Sequence, residues 1–248
     1  MNWKIRDGFA TAAEIPAVRI PGAPFMGISG TAPSAQKLRE WTEREQRALE
    51  AGGLVMTPSA AGAVPSGRCG LEGLRTIPPR ENGGNFDVKQ LTKGSKLMLP
   101  VFVKGGLFST GDGHFAQGDG EVCITAVEVG ATVAVRFKVH KGLANERRFA
   151  GPVFSHPGYF ADPKIAVPHN FLGVMGMPIN DKGEIESENV TLACRNATLN
   201  MMSLLQERGF TKEQAYVICS VAVDLRISNV VDVPNYVVSA LLPESIFG

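Results

Sequence analysis

Between Gly111 and Glu121 the chain reads GDGHFAQGDGE, eleven residues that hold Asp112, His114, Gln117, Asp119 and Glu121 among four glycines. Glycine restricts the backbone little, so several nitrogen and oxygen donors can converge there. Asp112 and His114 are two residues apart, as are Asp119 and Glu121. Wherever the chain is extended, each pair projects from one face. An imidazole beside carboxylates suits zinc or another first-row divalent ion better than calcium or magnesium. The same residues also spell turns, because Asp-Gly at 112–113 and again at 119–120 is a hairpin signal in its own right. Spacing alone leaves both readings open. An EF-hand loop is excluded, since the positions after Asp112 that would carry acids hold His114 and Ala116.

Other residues able to do chemistry lie nearby. RENGGNFD, residues 80–87, crowds Glu81, Asn82, Asn85 and Asp87 around two glycines. Its amides can orient a substrate carbonyl as oxyanion donors, and Asn-Gly beside Asp is also the composition of a tight turn. Glu121 borders an apolar run, where desolvation raises a carboxyl pKa toward the range of a general base; the alternative is a carboxylate that caps turn amides. His169, in VPHNF, reads either as a proton donor to a leaving amine or as a structural loop histidine. Cys123 suggests a nucleophile assisted by Glu81 and Lys89, but no spacing supports that set, and a thiol inside an apolar run is ordinarily inert packing. No G-x-S-x-G elbow exists for a serine nucleophile. Asp224, Arg226 and Asp232 read as ion-pair partners that hold the last helix to a sheet.

The elements that must position these groups follow from pattern. Residues 1–33 are rich in Gly and Pro and read as short strands and turns. Good helix formers from Ser34 to Ala51, with Leu38, Trp41, Ala48 and Leu49 on one stripe, predict a surface helix ended by Gly52 and Gly53. Residues 57–74 lack periodicity and predict a long irregular loop. KLMLPVFV (96–103) and EVCITAVEVGATVAVRFKV (121–139) predict strands, the second folding as a hairpin about Gly130. Residues 140–187 read as loops with one or two strands. From Glu188 to Arg208 apolar residues recur at i, i+3, i+4 and i+7, which predicts a helix closed by Gly209. Thr211 and Gln214 form a capping-box pair that starts a second helix, to about Val223, antiparallel to the first. The tail VVDVPNYVVSALLP predicts a final strand.

Composition bounds the class. A chain of 248 residues can bury a sizeable core and reads as one domain. With 44% hydrophobic and 20% charged residues it is an ordinary globular chain rather than a disordered one. The 25 basic residues nearly cancel the 24 acidic ones, so nothing electrostatic argues for nucleic acid or an anionic membrane. No run approaches a membrane span, and MNWKIRDGF lacks the apolar core of a signal peptide; a cytoplasmic protein is expected. The four cysteines are scattered without a C-x-x-C pair, which argues against a zinc ribbon or a disulfide framework.

PPRENGGNFDVKQLTKGSKLMLPVFVKGGLFSTGDGHFAQGDGEV (78–122), SVAVDLRISNVVDVPNYVV (220–238) and LLPESIF (241–247), with GISGTAPS (27–34) and EWTERE before them, together resemble the C-terminal part of the acetamidase/formamidase family. The resemblance implies a β-rich α+β fold of coiled mixed sheets, sandwich-like, with a C-terminal helical hairpin. It also implies metal-assisted hydrolysis of formamide, acetamide or cyclic amides such as γ-lactams. Carried onto this chain, it makes Asp112, His114 and Asp119 the expected ligands of a divalent ion, most simply zinc. Glu121, Glu81 and His169 are then the expected catalytic groups, and Asn82, Asn85 and Gln117 the expected substrate contacts. Family members carry a substantial region before the part that matches residue 1. The expectation is therefore an obligate complex, with a separate chain equivalent to that region or as a homo-oligomer that substitutes for it. A non-catalytic or incomplete β-rich subunit is the contrasting reading.

Overall fold

The computed structural model describes residues 1–55, 64–147, 151–161 and 170–247. Its strands are β1 (Trp3–Arg6), β2 (Phe9–Ala12), β3 (Ile20–Pro21), β4 (Phe25–Gly30), β5 (Gly83–Asn85), β6 (Lys96–Met98), β7 (Ser109–His114), β8 (Val153–Ser155), β9 (Phe171–Gly176), β10 (Asp224–Asn229) and β11 (Val237–Pro243). The helices are α1 (Ala35–Glu50), α2 (Arg68–Glu72), α3 (Leu143–Glu146), α4 (Val190–Glu207) and α5 (Lys212–Ala222). The strands make small antiparallel sheets in the orders β1-β2-β3, β5-β4-β7, β6-β8 and β10-β11-β9. The result is the expected α+β architecture with a helical hairpin toward the C-terminus.

That hairpin forms because its ends are specified locally. Asn189 accepts the backbone N–H of Leu192 (2.9 Å) and opens α4. Thr211 and Gln214 make the reciprocal capping box of α5, worth about 1 kcal/mol in such motifs. Ala193, Ala197, Met201 and Leu205 of α4 and Ala215, Ile218 and Val221 of α5 are buried together with Val238, Ala240 and Leu242 of β11 and with Ile15, Val18 and Ile20. Met201 is core, as its spacing predicts. β9 lies against α4 so closely that a Cβ at Gly176 would come within 2.2 Å of Ala197 N. Here α4 also covers backbone. The Asn200 amide donates to Met175 O (2.8 Å), and the Asn196 amide donates to Met177 O (2.8 Å) and Ile179 O (2.7 Å).

α1 starts where Ser34 accepts Lys37 N–H (3.1 Å), and it buries Trp41 edge-on against Phe102. Arg80 pairs with Glu45 (2.6 Å) and Arg44 with Glu81 (2.8 Å), which ties the 80–87 loop to α1.

Three local expectations change. β6 ends at Met98, and Pro100, which has no N–H to give a ladder, lies outside it. Residues 121–139 contain no strand and no hairpin about Gly130. Val127 and Val129 instead bond irregularly to β7 and its extension, and residues 131–140 are all exposed. Their β-branched composition needs a partner strand, and none is supplied among the described residues. The irregular loop at 57–74 is interrupted by α2, and its residues 57–63 lie outside the described residues. No helix among those residues is long and apolar enough to cross a membrane.

Candidate active site

β4 is the centre of a three-stranded sheet, and its two flanks deliver the chemistry. On one side β7 pairs Phe25 with His114 and Met26 with Gly113. On the other, the chain leaving β5 turns back so that Phe86 and Asp87 N–H both donate to Gly27 O (2.9 and 3.3 Å). A third approach comes after β7. Phe115 N–H donates to Val127 O (2.8 Å), Val127 N–H to Ala116 O (3.0 Å) and Val129 N–H to Gly113 O (2.7 Å). Val127 is fully buried, so Glu128 turns the other way and lies opposite His114.

His114 is 1% exposed and sits edge-on to the Phe25 ring, 5.1 Å between centroids. Its Nε2 lies 3.2 Å from Asp112 Oδ1, 3.4 Å from Glu128 Oε2 and 3.9 Å from Glu121 Oε1, while Asp87 Oδ1 is 4.0 Å from Nδ1. Donor atoms within 4.8 Å of one another form two sets that share the histidine: Asp87, His114 and Glu121, and Asp112, His114 and Glu128. Neighbours hold these groups in place. Gln117 Oε1 meets His114 Nδ1 at 2.8 Å, and Gln117 Nε2 donates to Asp87 O at 2.8 Å. Asn85 donates to Asp87 Oδ2 (2.6 Å), and Glu128 Oε1 accepts the N–H of Ala126 (2.9 Å) and the hydroxyl of Thr125 (3.3 Å).

The arrangement gathers carboxylates around buried atoms that lack partners. His114 Nε2 and Asp87 Oδ1 are buried and have no hydrogen-bond partner, a cost of about 1–3 kcal/mol for each such group. Among the described residues no lysine or arginine pairs with Asp87, Asp112, Glu121 or Glu128. Burial raises the Glu121 pKa to about 7, helped by the Asp87 carboxylate, and burial raises Asp87 as well. For His114 burial opposes protonation, but Glu128, Gln117, Asp112 and Glu121 outweigh it and carry its pKa up. Backbone strain coincides with the site. Asp87, Asp112 and Glu121 have φ of 48°, 60° and 40°, a region that costs non-glycine residues roughly 1–3 kcal/mol. Space is kept open by Gly27, where a Cβ would lie 2.5 Å from Asp87 Oδ1 and 2.8 Å from Asp112 Oδ2. One imidazole with carboxylates, an orphaned buried Nε2 and a cleared floor fit a divalent ion.

Of the residues singled out by sequence, Asp112, His114, Gln117 and Glu121 are brought together here. Asp119 is not. Its carboxylate accepts Gln90 Nε2 (3.1 Å) in a separate group where Lys89 pairs with Asp224. Glu81 is engaged by Arg44, and Asn82 donates to Thr31 O (2.7 Å) and is a structural tie. Asn85 and Gln117 act on Asp87 and His114 respectively. His169 lies outside the described residues. Cys123 donates its N–H to Ser220 Oγ (3.2 Å), with its thiol toward Thr125 O and no base beside it. Glu128 escaped the sequence reading because it sits in the apolar run AVEVG, although a lone acid between two buried valines is the available signal.

The family follows from the whole chain. Residues 1–248 match the family model described as the Acetamidase/Formamidase family, and the chain belongs to that family. Among curated relatives it is 32% identical to a formamidase of Methylophilus methylotrophus over 99% of this chain and 62% of the relative. It is 34% identical to an acetamidase of Mycolicibacterium smegmatis over 87% of this chain and 56% of the relative. Among solved structures, the gamma lactamase from Delftia acidovorans superimposes with a TM-score of 0.84 at 31% identity, covering 99% of this chain and 62% of that one. The chain thus spans less than two thirds of the length of these relatives.

Proposed function

We propose that the protein hydrolyses short-chain amides, formamide and acetamide foremost, to the carboxylate and ammonia. Asp112, His114 and Glu128 would hold a divalent ion, zinc or a similar metal. The reading is supported by the formamidase and acetamidase relatives, and one observation carries it: a buried, unpartnered His114 Nε2 whose nearest neighbours are the Asp112 and Glu128 carboxylates, with Glu121 beyond them. When bound, such an ion supplies Lewis acidity to an amide carbonyl and to water. The chain's own groups do the rest. Glu121, poised near neutrality, takes one proton from the attacking water as the new C–O bond forms, and returns it to nitrogen as the C–N bond breaks. Asp87, on the same side, keeps that proton shared and local. The likeness to a gamma lactamase extends the proposal to cyclic amides, in which the same C–N bond opens.

His114→Ala tests it, with metal content and ammonia release measured on the same preparation. Both should be lost, the rate by about 10³-fold or more, since such an ion supplies several kcal/mol. Full metal stoichiometry with full activity in the variant would sink the assignment.

A second reading, compatible with the first, is favoured by residues 131–140. Val133, Val135, Phe137 and Val139 are 42%, 51%, 67% and 76% exposed in a run of strand-favouring composition that forms no strand. We propose that this run is covered in an assembly, by another strand-bearing segment or by a second copy, and that the enzyme acts in that form.

A further inference from the structure

We infer that Gln117 is a positioning residue that fixes through which nitrogen His114 meets a cation, and so on which side of the ring the ion sits. The inference rests on the metal-hydrolase reading above. A neutral imidazole has one N–H donor and one lone-pair nitrogen, and a neighbour decides which is which. Gln117 is 5% exposed, and both of its amide atoms are committed. The carbonyl of Asp87 can only accept, so the amide nitrogen of Gln117 must face it, at 2.8 Å. Flipping the amide would set two oxygens against each other at that distance. Oε1 is therefore the atom that faces His114 Nδ1, also at 2.8 Å, and Oε1 can only accept. Nδ1 carries the proton, and Nε2 keeps the lone pair.

This bears on the two donor sets that share His114. Nδ1 is the nitrogen nearest Asp87, and Gln117 closes it to coordination. Nε2 is the nitrogen that looks at Asp112 Oδ1 (3.2 Å) and Glu128 Oε2 (3.4 Å), with Glu121 Oε1 farther off at 3.9 Å, and it has no hydrogen-bond partner. A lone pair set against carboxylate oxygens is repulsive until a cation lies between them. An ion on Nε2 would accordingly be held by Asp112, His114 and Glu128, the two nearer carboxylates, which leaves Asp87, on the Nδ1 side, and the more distant Glu121 for proton transfer. Gln117 thus plays the part that a carboxylate or backbone carbonyl commonly plays behind a metal-bound histidine, where loss of the partner costs about 10–100-fold in metal affinity.

The test uses the full chain labelled with ¹⁵N-histidine, zinc as the probe, and the variants Gln117→Met and Gln117→Glu. In wild type loaded with zinc, the imidazole ¹⁵N shifts should show Nε2 coordinated and Nδ1 protonated. Gln117→Met, which removes the acceptor at similar volume, should weaken zinc binding about 10–100-fold and mix the tautomers. Gln117→Glu loses the donor to Asp87 O but retains an acceptor at Nδ1, so zinc should bind more weakly while coordination stays on Nε2. Zinc on Nδ1 in wild type, or a Gln117→Met protein that binds zinc as tightly through the same nitrogen, overturns the inference. The metal-free wild type, studied above the histidine's titration, separates the two failures. Nδ1–H there, in a protein that binds no zinc, upholds Gln117 as the tautomer-setting residue and refutes the metal reading instead; Nε2–H there refutes the role of Gln117 outright.

Discussion

The carboxylates of Asp87 and Asp112 reach the same side of β4 from opposite flanks, and both close over the one position in that strand, Gly27, where a side chain would meet them. Gly27 does not have a left-handed φ, so alanine there is acceptable to the backbone and the conflict falls on the two carboxylates and, at 3.1 Å, on His114 Cε1. Gly27→Ala should therefore leave the melting temperature nearly unchanged while metal affinity drops and amide hydrolysis falls about 10²-fold, the usual penalty for displacing such groups by an ångström. Isothermal titration with zinc, run beside thermal denaturation, checks it. A variant that melts far lower and keeps its affinity would contradict this account of Gly27.

Glu128 and Asp119 give opposite expectations. Glu128→Gln removes a charge facing His114 Nε2 and should weaken metal binding about 10-fold or more with little change in fold. Asp119→Asn acts in the group formed by Gln90, Lys89 and Asp224 and should leave metal stoichiometry intact. Metal analysis of the two purified variants decides; loss of metal from Asp119→Asn alone would restore the ligand set expected from sequence.

The metal-free protein should be destabilised as pH rises. Glu121 titrates near 7 in the folded chain against an ordinary 4.5, so it binds its proton more tightly folded than unfolded. Its contribution is fully present below about 4.5 and is lost as pH climbs through about 7. His114, also raised, adds a loss of the same sign that starts from its ordinary 6.5 and extends upward. Melting temperatures in chelator should fall across this window, and Glu121→Gln should flatten the lower part. Added zinc should reverse the trend, because ligands must be deprotonated to bind it. A flat profile in chelator would contradict the environment described for Glu121.

Assembly is checked by native mass spectrometry. A species heavier than the 26.5 kDa chain is expected, and replacing Val135 and Val139 together by lysine should shift it toward monomer without disturbing the exposed backbone they occupy. A stable, soluble, active monomer of the wild-type chain would end this proposal.

What the sequence made legible follows the range of the forces involved. α4 and α5 were readable because their caps and apolar spacing are local, within a few residues of each end. Asp112 and His114 were readable as a pair because β7 keeps its register with β4 on both sides of Asp112, despite the φ of 60° there, so the two residues share a face. Asp119 and Glu121 have the same spacing and part company, because Gly120 at φ 113° and Glu121 at φ 40° take the chain out of the extended form between them. That departure is set by the fit of the 117–126 turn against Ser220 and Val223, a long-range contact that no local pattern records. Glu128 and Asp87 were obscure for a related reason: each joins His114 only through pairings with β7 or β4. Residues 131–139 show the reverse failure, a strand propensity that is real and goes unmatched.

The asparagines that α4 directs at Met175, Met177 and Ile179 imply an order of events at the ribosome. β9 is the outer strand of its sheet, and it is translated before both α4, which covers it, and β11, its pairing partner. Until residue 200 has emerged, the polar backbone of that segment is adhesive to any passing strand. A chain stalled or truncated between β9 and α4 would leave those carbonyls bare, and Asn196 and Asn200 satisfy them only once the helix docks.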